Sequence, residues 1–167
     1  MRGNAFPRVV KAKDGAFVLR NVPPAMAIVL RQLPELLSDG SPGIRERLTG
    51  SPYPGDDEGS EQWEKYAVPE LEHLFRSARD LVVEDVAGLG PESRSADRFQ
   101  VSIPAKHLAA WISSLAAVRV ALGGVHRLTE QEMESELPPV LVTARDRAVL
   151  VVHLLGWVQG LLVEAGA

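Results

Sequence analysis

The chain has 167 residues, of which 46% are hydrophobic and 24% charged, so it fits one globular domain and is not disordered throughout. Its 18 basic and 22 acidic side chains give a formal net charge of −4, without the basic surplus typical of nucleic-acid-binding proteins. Cysteine is absent, which excludes disulfides, iron–sulfur ligation and thiol catalysis within these residues and agrees with the cytoplasmic location that we expect.

The N-terminal segment predicts a β-hairpin. Two β-prone runs, at 6–10 and 16–20, flank Asp14-Gly15, and Asp-Gly is a strong turn signal because glycine accepts a positive φ at little cost. Polar and apolar residues also alternate at 98–103, which is typical of a half-buried strand. We therefore expect a small antiparallel sheet of three strands.

Four further stretches predict helices, near 23–38, 69–87, 104–123 and 143–164. In the first three, apolar residues recur with the i, i+3, i+4, i+7 spacing of one helix face. Pro34 should kink the first helix, because proline lacks an N–H and clashes one turn back. The last helix is apolar nearly all round from 148 to 163, a run too short to span a bilayer, so we interpret it as a core helix.

Two pairs of residues have the spacing of a capping box, in which two side chains bond each other's backbone N–H groups. Thr143 and Asp146 would begin the last helix in this way. Thr129 and Glu132 would begin a short acidic turn that extends to Glu136.

These elements predict a mainly α fold. One domain over residues 1–167 would contain a helical bundle of about four main helices and a small antiparallel β-sheet, made of the N-terminal hairpin and one mid-chain strand. A long Gly/Pro/Asp-rich loop would occupy 38–60. A connection of that length is usually either functional or disordered.

Arg119 is the first candidate site residue, since it lies on the apolar face of the helix at 104–123. A guanidinium cannot give up its charge, so inside a core it needs a carboxylate or several carbonyl oxygens. We predict a structural ion pair with Asp56 or Asp57, folded back from the long loop. The alternative is a clamp for the anionic group of a ligand or partner.

The remaining candidates are aromatic and ionisable. Tyr53, Trp63 and Tyr66 could form a partner surface, because aromatic residues are enriched in binding hot spots, or could pack the loop onto the helices. His153 is more typical of a satisfied core histidine than of a catalytic base. Asp56 and Asp57 lack the order of a calcium-binding loop, and the four histidines lack ligand spacing, so we predict no metal, no cofactor and no catalytic residue.

Four segments, taken in order, resemble an uncharacterised, mostly actinobacterial domain family of unknown function. The segments are VPPAMAIVLRQLPELLSD, RERLTGSPYPGDDEGSEQWEKY, HLAAWISSLAAVRVALG and LGWVQGLLVEA. Genes of this family commonly lie beside the gene for ClpS, the adaptor of the Clp protease, and some members carry a transcriptional-regulator label. Ala116 and Ala117 replace an Asn-Asp pair of the family, whereas Arg119, Leu122 and Gly123 match.

The resemblance implies no reaction and no cofactor. We predict a non-catalytic interaction or regulatory module that binds another protein, with a link to Clp-dependent proteolysis that rests on gene neighbourhood. The alternatives are a DNA-binding transcriptional regulator and an enzyme with an unrecognised site. Membrane and nucleic-acid partners are disfavoured, and homo-oligomerisation is left open.

Overall fold

The computed structural model describes residues 6–134 and 140–167, apart from the side chains of residues 47 and 48. Helix accounts for 61% of the described residues and strand for 14%. The predicted fold class, about four main helices beside a three-stranded sheet, is wrong because the sheet has four strands and short helices occupy the predicted loop. The predicted end of the acidic turn at Glu136 lies outside the described residues.

The sheet is antiparallel throughout, with its strands in the order β1-β2-β4-β3. The strands are β1 (Arg8–Lys11), β2 (Phe17–Val22), β3 (Gly90–Glu92) and β4 (Ser95–Ile103). The predicted hairpin between β1 and β2 is confirmed: Gly15 has a φ of 89°, and the Asp14 carboxylate accepts a 3.0 Å hydrogen bond from the Ala16 N–H.

Strand β3 is the strand that the prediction missed, because Gly90 and Pro91 indicated a helix stop followed by a polar linker. Pro91 pairs with Phe99 at the edge of the sheet. Proline has no N–H to donate, which is tolerated on an edge strand but not in the middle of a sheet.

One face of the sheet is buried against the helices. Leu19 lies opposite Val101, and Phe17 opposite Ile103, and all four side chains are buried. The pairing of β2 with β4 is irregular near Asn21, which has a φ of 60°, a conformation that asparagine adopts more readily than most residues.

The helices that the structure describes are unequal in length. They are α1 (Pro24–Arg31), α2 (Leu33–Leu36), α3 (Ile44–Thr49), α4 (Asp57–Gln62), α5 (Val68–Val86), α6 (Leu108–Val125), α7 (Glu130–Glu134) and α8 (Ala144–Gly166). A π-helical turn (Trp63–Ala67) precedes α5, and a 3₁₀ turn (Ala105–His107) precedes α6.

Pro34 separates α1 from α2 instead of only kinking one helix. It lies in the first turn of α2, where its missing N–H leaves no intrahelical bond unmade. The capping box at Thr143 and Asp146 is confirmed at the start of α8, with both reciprocal hydrogen bonds present.

The core is built on the packing of α6 against α8, with α1, α5 and the buried sheet face around them. Trp111, Leu115, Leu155 and Leu162 are fully buried there. A smaller cluster of Ile44, Ala117 and Ala121 attaches α3 to α6.

Among the described residues, Ala105–Val125 and Ala144–Gly166 are each long and apolar enough to cross a membrane. Core helices of soluble proteins share these properties, and these two helices pack against each other. In the most apolar 18-residue stretch of α8, only 33% is buried, compared with 44% in the corresponding stretch of Ala105–Val125. Helix α8 therefore keeps much apolar surface uncovered.

Candidate functional site

Arg119 extends from α6 across α8 and is partly buried. Its Nε donates to the Val152 carbonyl oxygen at 3.2 Å and its Nη1 to Oε1 of Gln159 at 2.9 Å. Gly156 makes room for it, since a Cβ atom there would lie 3.1 Å from the guanidinium carbon. In the described part of the chain no carboxylate pairs with Arg119, so the predicted ion pair with Asp56 or Asp57 is wrong.

Those two acidic residues begin α4 instead. Asp56 is its N-cap, and Oδ1 of Asp56 accepts a 3.0 Å hydrogen bond from the Gly59 N–H. Asp57 lies in the first turn, where a negative charge interacts favourably with the helix dipole. Both are exposed and serve the local fold.

His153 binds the backbone of α7. Its Nε2 donates to the Glu132 carbonyl oxygen at 2.9 Å. Glu132 forms the predicted capping box with Thr129, because its carboxylate accepts from the Thr129 N–H at 2.8 Å and its own N–H donates to the Thr129 hydroxyl at 3.1 Å. The same carboxylate accepts two hydrogen bonds from Arg145.

These contacts fix the charge on Glu132. Hydrogen bonds from Arg145 first, and from the Thr129 N–H second, lower the pKa of Glu132 from 4.5 to about 2. Glu132 therefore joins α7 to α8 at two points, because its carboxylate binds Arg145 and its carbonyl oxygen binds His153.

The three aromatic candidates are only partly brought together. Tyr53 contacts Trp63 edge to face, with 6.4 Å between ring centroids, and the Trp63 indole N–H donates to the Thr49 carbonyl oxygen at 3.0 Å. Trp63 thus ties the segment before α5 to the end of α3. Tyr66 projects away, 69% exposed, with the Lys65 ammonium 5.1 Å from its ring centre.

A groove that the sequence did not reveal lies between α3 and α5. It has a volume of about 400 Å³, and Ile44, Leu71 and Phe75 form its apolar part. Asp39, Arg45, Thr49, Glu72 and Arg76 supply the polar part. We call this the α3–α5 groove. The groove has no signal in the sequence, because the composition of 38–60 predicts a loop and α3 lies within that segment.

Ion pairs line the mouth of the α3–α5 groove. Arg45 Nε lies 3.0 Å from Glu72 Oε1, and Arg76 Nε lies 3.5 Å from Asp39 Oδ1. The Arg45 and Arg76 side chains remain 69% and 49% exposed. Both guanidinium groups can therefore reach a bound molecule as well as their present partners.

A second groove of about 320 Å³ continues from the first and shares Arg45 and Thr49 with it. Its other lining residues are Glu46, Ser51, Ser60, Trp63, Glu64 and Val68. Trp63 is therefore the one predicted site residue that borders this connected surface.

Sequence reasoning also missed a buried polar cluster at the start of α6. Asp85 of α5 accepts hydrogen bonds from His107 Nδ1 at 2.9 Å and from the Trp111 indole N–H at 2.9 Å. The side chains of Asp85 and His107 are only 7% and 8% exposed. The i, i+4 spacing of His107 and Trp111 was the available signal, but the acidic partner lies far away in sequence.

The described residues contain no group of three His, Asp or Glu side chains arranged to hold a metal ion. Neither Arg119 nor His153 lines the two grooves described above.

Comparison with known proteins gives one match. No curated protein and no solved structure was found to match the chain. The model of a family described as "Domain of unknown function (DUF2017)" matches residues 11–166. Because this match covers nearly the whole length, the chain belongs to the DUF2017 family.

Proposed function

We propose that the chain is a non-catalytic interaction or regulatory module that binds a segment of another protein in the α3–α5 groove. The observation that carries the proposal is the combination of an apolar floor with two exposed arginines in one concave surface. Concave, mostly apolar sites with a few convergent polar groups are the usual form of a binding site.

The chemistry of the groove favours a partner segment with an acidic side chain next to an apolar one. Ile44, Leu71 and Phe75 offer apolar contact, and a guanidinium binds a carboxylate in a two-pronged geometry. Arg45 and Arg76 both contact Glu72. A carboxylate of the partner can therefore bind one of these arginines while the other keeps its contact with Glu72.

A link with Clp-dependent proteolysis remains part of the proposal, supported only by the family resemblance in gene neighbourhood. The DNA-binding alternative has less support, because Asp39 and Glu72 balance the charges of Arg45 and Arg76 in the groove, which leaves no surplus of positive charge for a phosphate backbone. A mobility-shift assay at low salt, which favours even weak phosphate contacts, would show binding if that alternative were right.

The test of the proposal is capture of partners from the source cells with an immobilised full-length chain. We compare the unmodified chain with an Arg45→Glu/Arg76→Glu variant, counting recovered proteins by mass spectrometry. A protein that binds the groove should be lost with the variant. The fold should survive, because exposed ion pairs contribute only about 0–1 kcal/mol each, and circular dichroism melting checks this.

A Lys13→Glu/Arg94→Glu variant is the matched control, since it makes the same change of net charge at exposed positions outside the two grooves. Recovery of the partner should be unchanged with this control. Equal recovery with the groove variant, or no specific partner with the unmodified chain, contradicts the proposal.

A further inference from the structure

Helix α8 carries a stripe of exposed and partly buried residues on the side opposite its fully buried ones. Its members alternate three and four residues apart, which keeps them on one face of a helix. We call them the α8 stripe: Arg147, Leu150, Leu154, Trp157, Leu161 and Glu164. The fully buried residues of α8, among them Val152, Leu155 and Leu162, lie on other positions.

The α8 stripe is apolar in the middle and charged at its ends. Trp157 is 44% exposed, and the leucines beside it are partly buried, with Leu154 and Leu161 in contact with the edge of the core. Arg147 and Glu164 are exposed, and within the described chain neither forms an ion pair. A large aromatic residue in water, flanked by aliphatic ones, is typical of a surface that another protein covers.

We propose that the α8 stripe pairs with the α8 stripe of a second copy of this chain, antiparallel, about a two-fold axis between positions 155 and 156. The order of residues is self-complementary in that arrangement. Leu150 faces Leu161 of the other copy, and Leu154 faces its Trp157. Two-fold interfaces require one surface to match itself in this way.

Charge complementarity selects this occupant and this direction. In the antiparallel pair, Arg147 of each copy lies opposite Glu164 of the other, which makes two ion pairs that bracket the apolar centre. A parallel pair would place arginine against arginine and glutamate against glutamate, and like charges repel. The stripe does not overlap the α3–α5 groove, so dimerisation and the proposed binding function are independent.

The first test measures the mass of the full-length chain by sedimentation as a function of concentration. We expect a shift from 18.1 kDa toward twice that mass. A Trp157→Glu variant should remain at the monomer mass. A Leu74→Glu variant, with an apolar side chain exposed on α5, should dimerise like the unmodified chain. A chain that stays monomeric at high concentration overturns the proposal. This holds even where the monomer sediments with lipid vesicles, a result that would indicate a membrane surface and not a second copy.

The second test uses charge reversal, which leaves the apolar centre intact. Arg147→Glu alone, and Glu164→Arg alone, should each weaken dimerisation by about tenfold or more, because two ion pairs become two like-charge contacts. The chain with both substitutions should dimerise again. An equal mixture of the two single variants should form mixed dimers.

The single variants distinguish the direction of pairing, because in a parallel dimer each position meets itself and a single charge reversal leaves the number of like-charge contacts unchanged. In the antiparallel dimer each altered residue meets the opposite charge on the other variant, so mixing restores association. Single variants that dimerise as well as the unmodified chain, or a mixture that stays monomeric, overturn the proposal.

Discussion

At the scale of single residues, the Arg119 guanidinium is held by neutral oxygen atoms. Val152 and Gln159 supply those oxygens from α8. We expect Arg119→Ala to lower the free energy of unfolding by about 1–3 kcal/mol, because buried acceptors lose their donor. Denaturant unfolding measures this. Arg94→Ala, at an exposed position, should change the value by less than about 0.5 kcal/mol.

The Asp85 cluster predicts a larger effect. Asp85→Ala leaves the ring N–H groups of both His107 and Trp111 without their acceptor in a buried place, so we expect a loss of about 3 kcal/mol in the free energy of unfolding. The Trp111→Phe variant in the Asp85→Ala background should add less than it does alone, because the shared hydrogen bond is already absent. Additive losses would show that the two side chains act independently.

Glu132 predicts a dependence of stability on pH. Its pKa is about 2 in the fold, against an ordinary value of 4.5, so the folded state holds the proton less tightly than the unfolded state. The contribution of Glu132 to stability is therefore complete above pH 4.5 and is lost as the pH falls from 4.5 toward 2.

Denaturant unfolding at several pH values tests this. The unmodified chain should be more stable than Glu132→Gln at pH 7, and the difference should shrink as the pH falls below 4.5. Glu130→Gln, at an exposed position in the same helix, is the control, and its difference should stay small throughout. A constant difference for Glu132→Gln would contradict the prediction.

At the scale of elements, the attachment of α3 to α6 depends on a glycine. Gly43 has a φ of 80°, and a Cβ atom there would lie 2.7 Å from Val125 Cγ2 and 3.1 Å from the Ala121 carbonyl oxygen. Gly55 has the same φ but open space around it. Both positions carry the same backbone strain, and only Gly43 lies at the close approach of α3 to α6. Substituting each glycine in turn therefore separates the two effects.

We expect Gly55→Ala to lower the free energy of unfolding by about 1 kcal/mol, the cost of left-handed backbone for alanine. Gly43→Ala should lose more, because α3 must also move away from α6. The movement should open the α3–α5 groove as well, so partner capture should fall for Gly43→Ala and not for Gly55→Ala. Equal losses of stability would mean that the contact with α6 adapts without strain.

The elements also show which features a sequence reveals. Both capping boxes were predicted, because their residues are three apart and the bonds are local. Asp85 precedes its partners His107 and Trp111 by 22 and 26 residues, so these contacts could not be predicted from spacing. Strand β3 was not predicted because a proline normally indicates the end of a helix or strand. Only its position on the edge strand of the sheet explains why Pro91 is tolerated there.

At the scale of the whole molecule, the positions of the main helices followed from the distribution of apolar residues and that of the hairpin from its turn signal, whereas the sites followed from neither. Arg119 was rightly placed toward the core, but its partners depend on how α6 crosses α8. The α3–α5 groove exists only because α3 folds onto α6 and leaves a gap beside α5. Such gaps between distant segments have no periodic signal in sequence.

Pro91 has a consequence for the kinds of partner that the chain can accept. An extended peptide that adds itself to a sheet needs a row of free amide hydrogens on the outermost strand. Strand β3 is three residues long and has a ring nitrogen in its middle position, so such a peptide finds too few donors there. At that side of the molecule, growth of the sheet by addition of a foreign strand is therefore blocked.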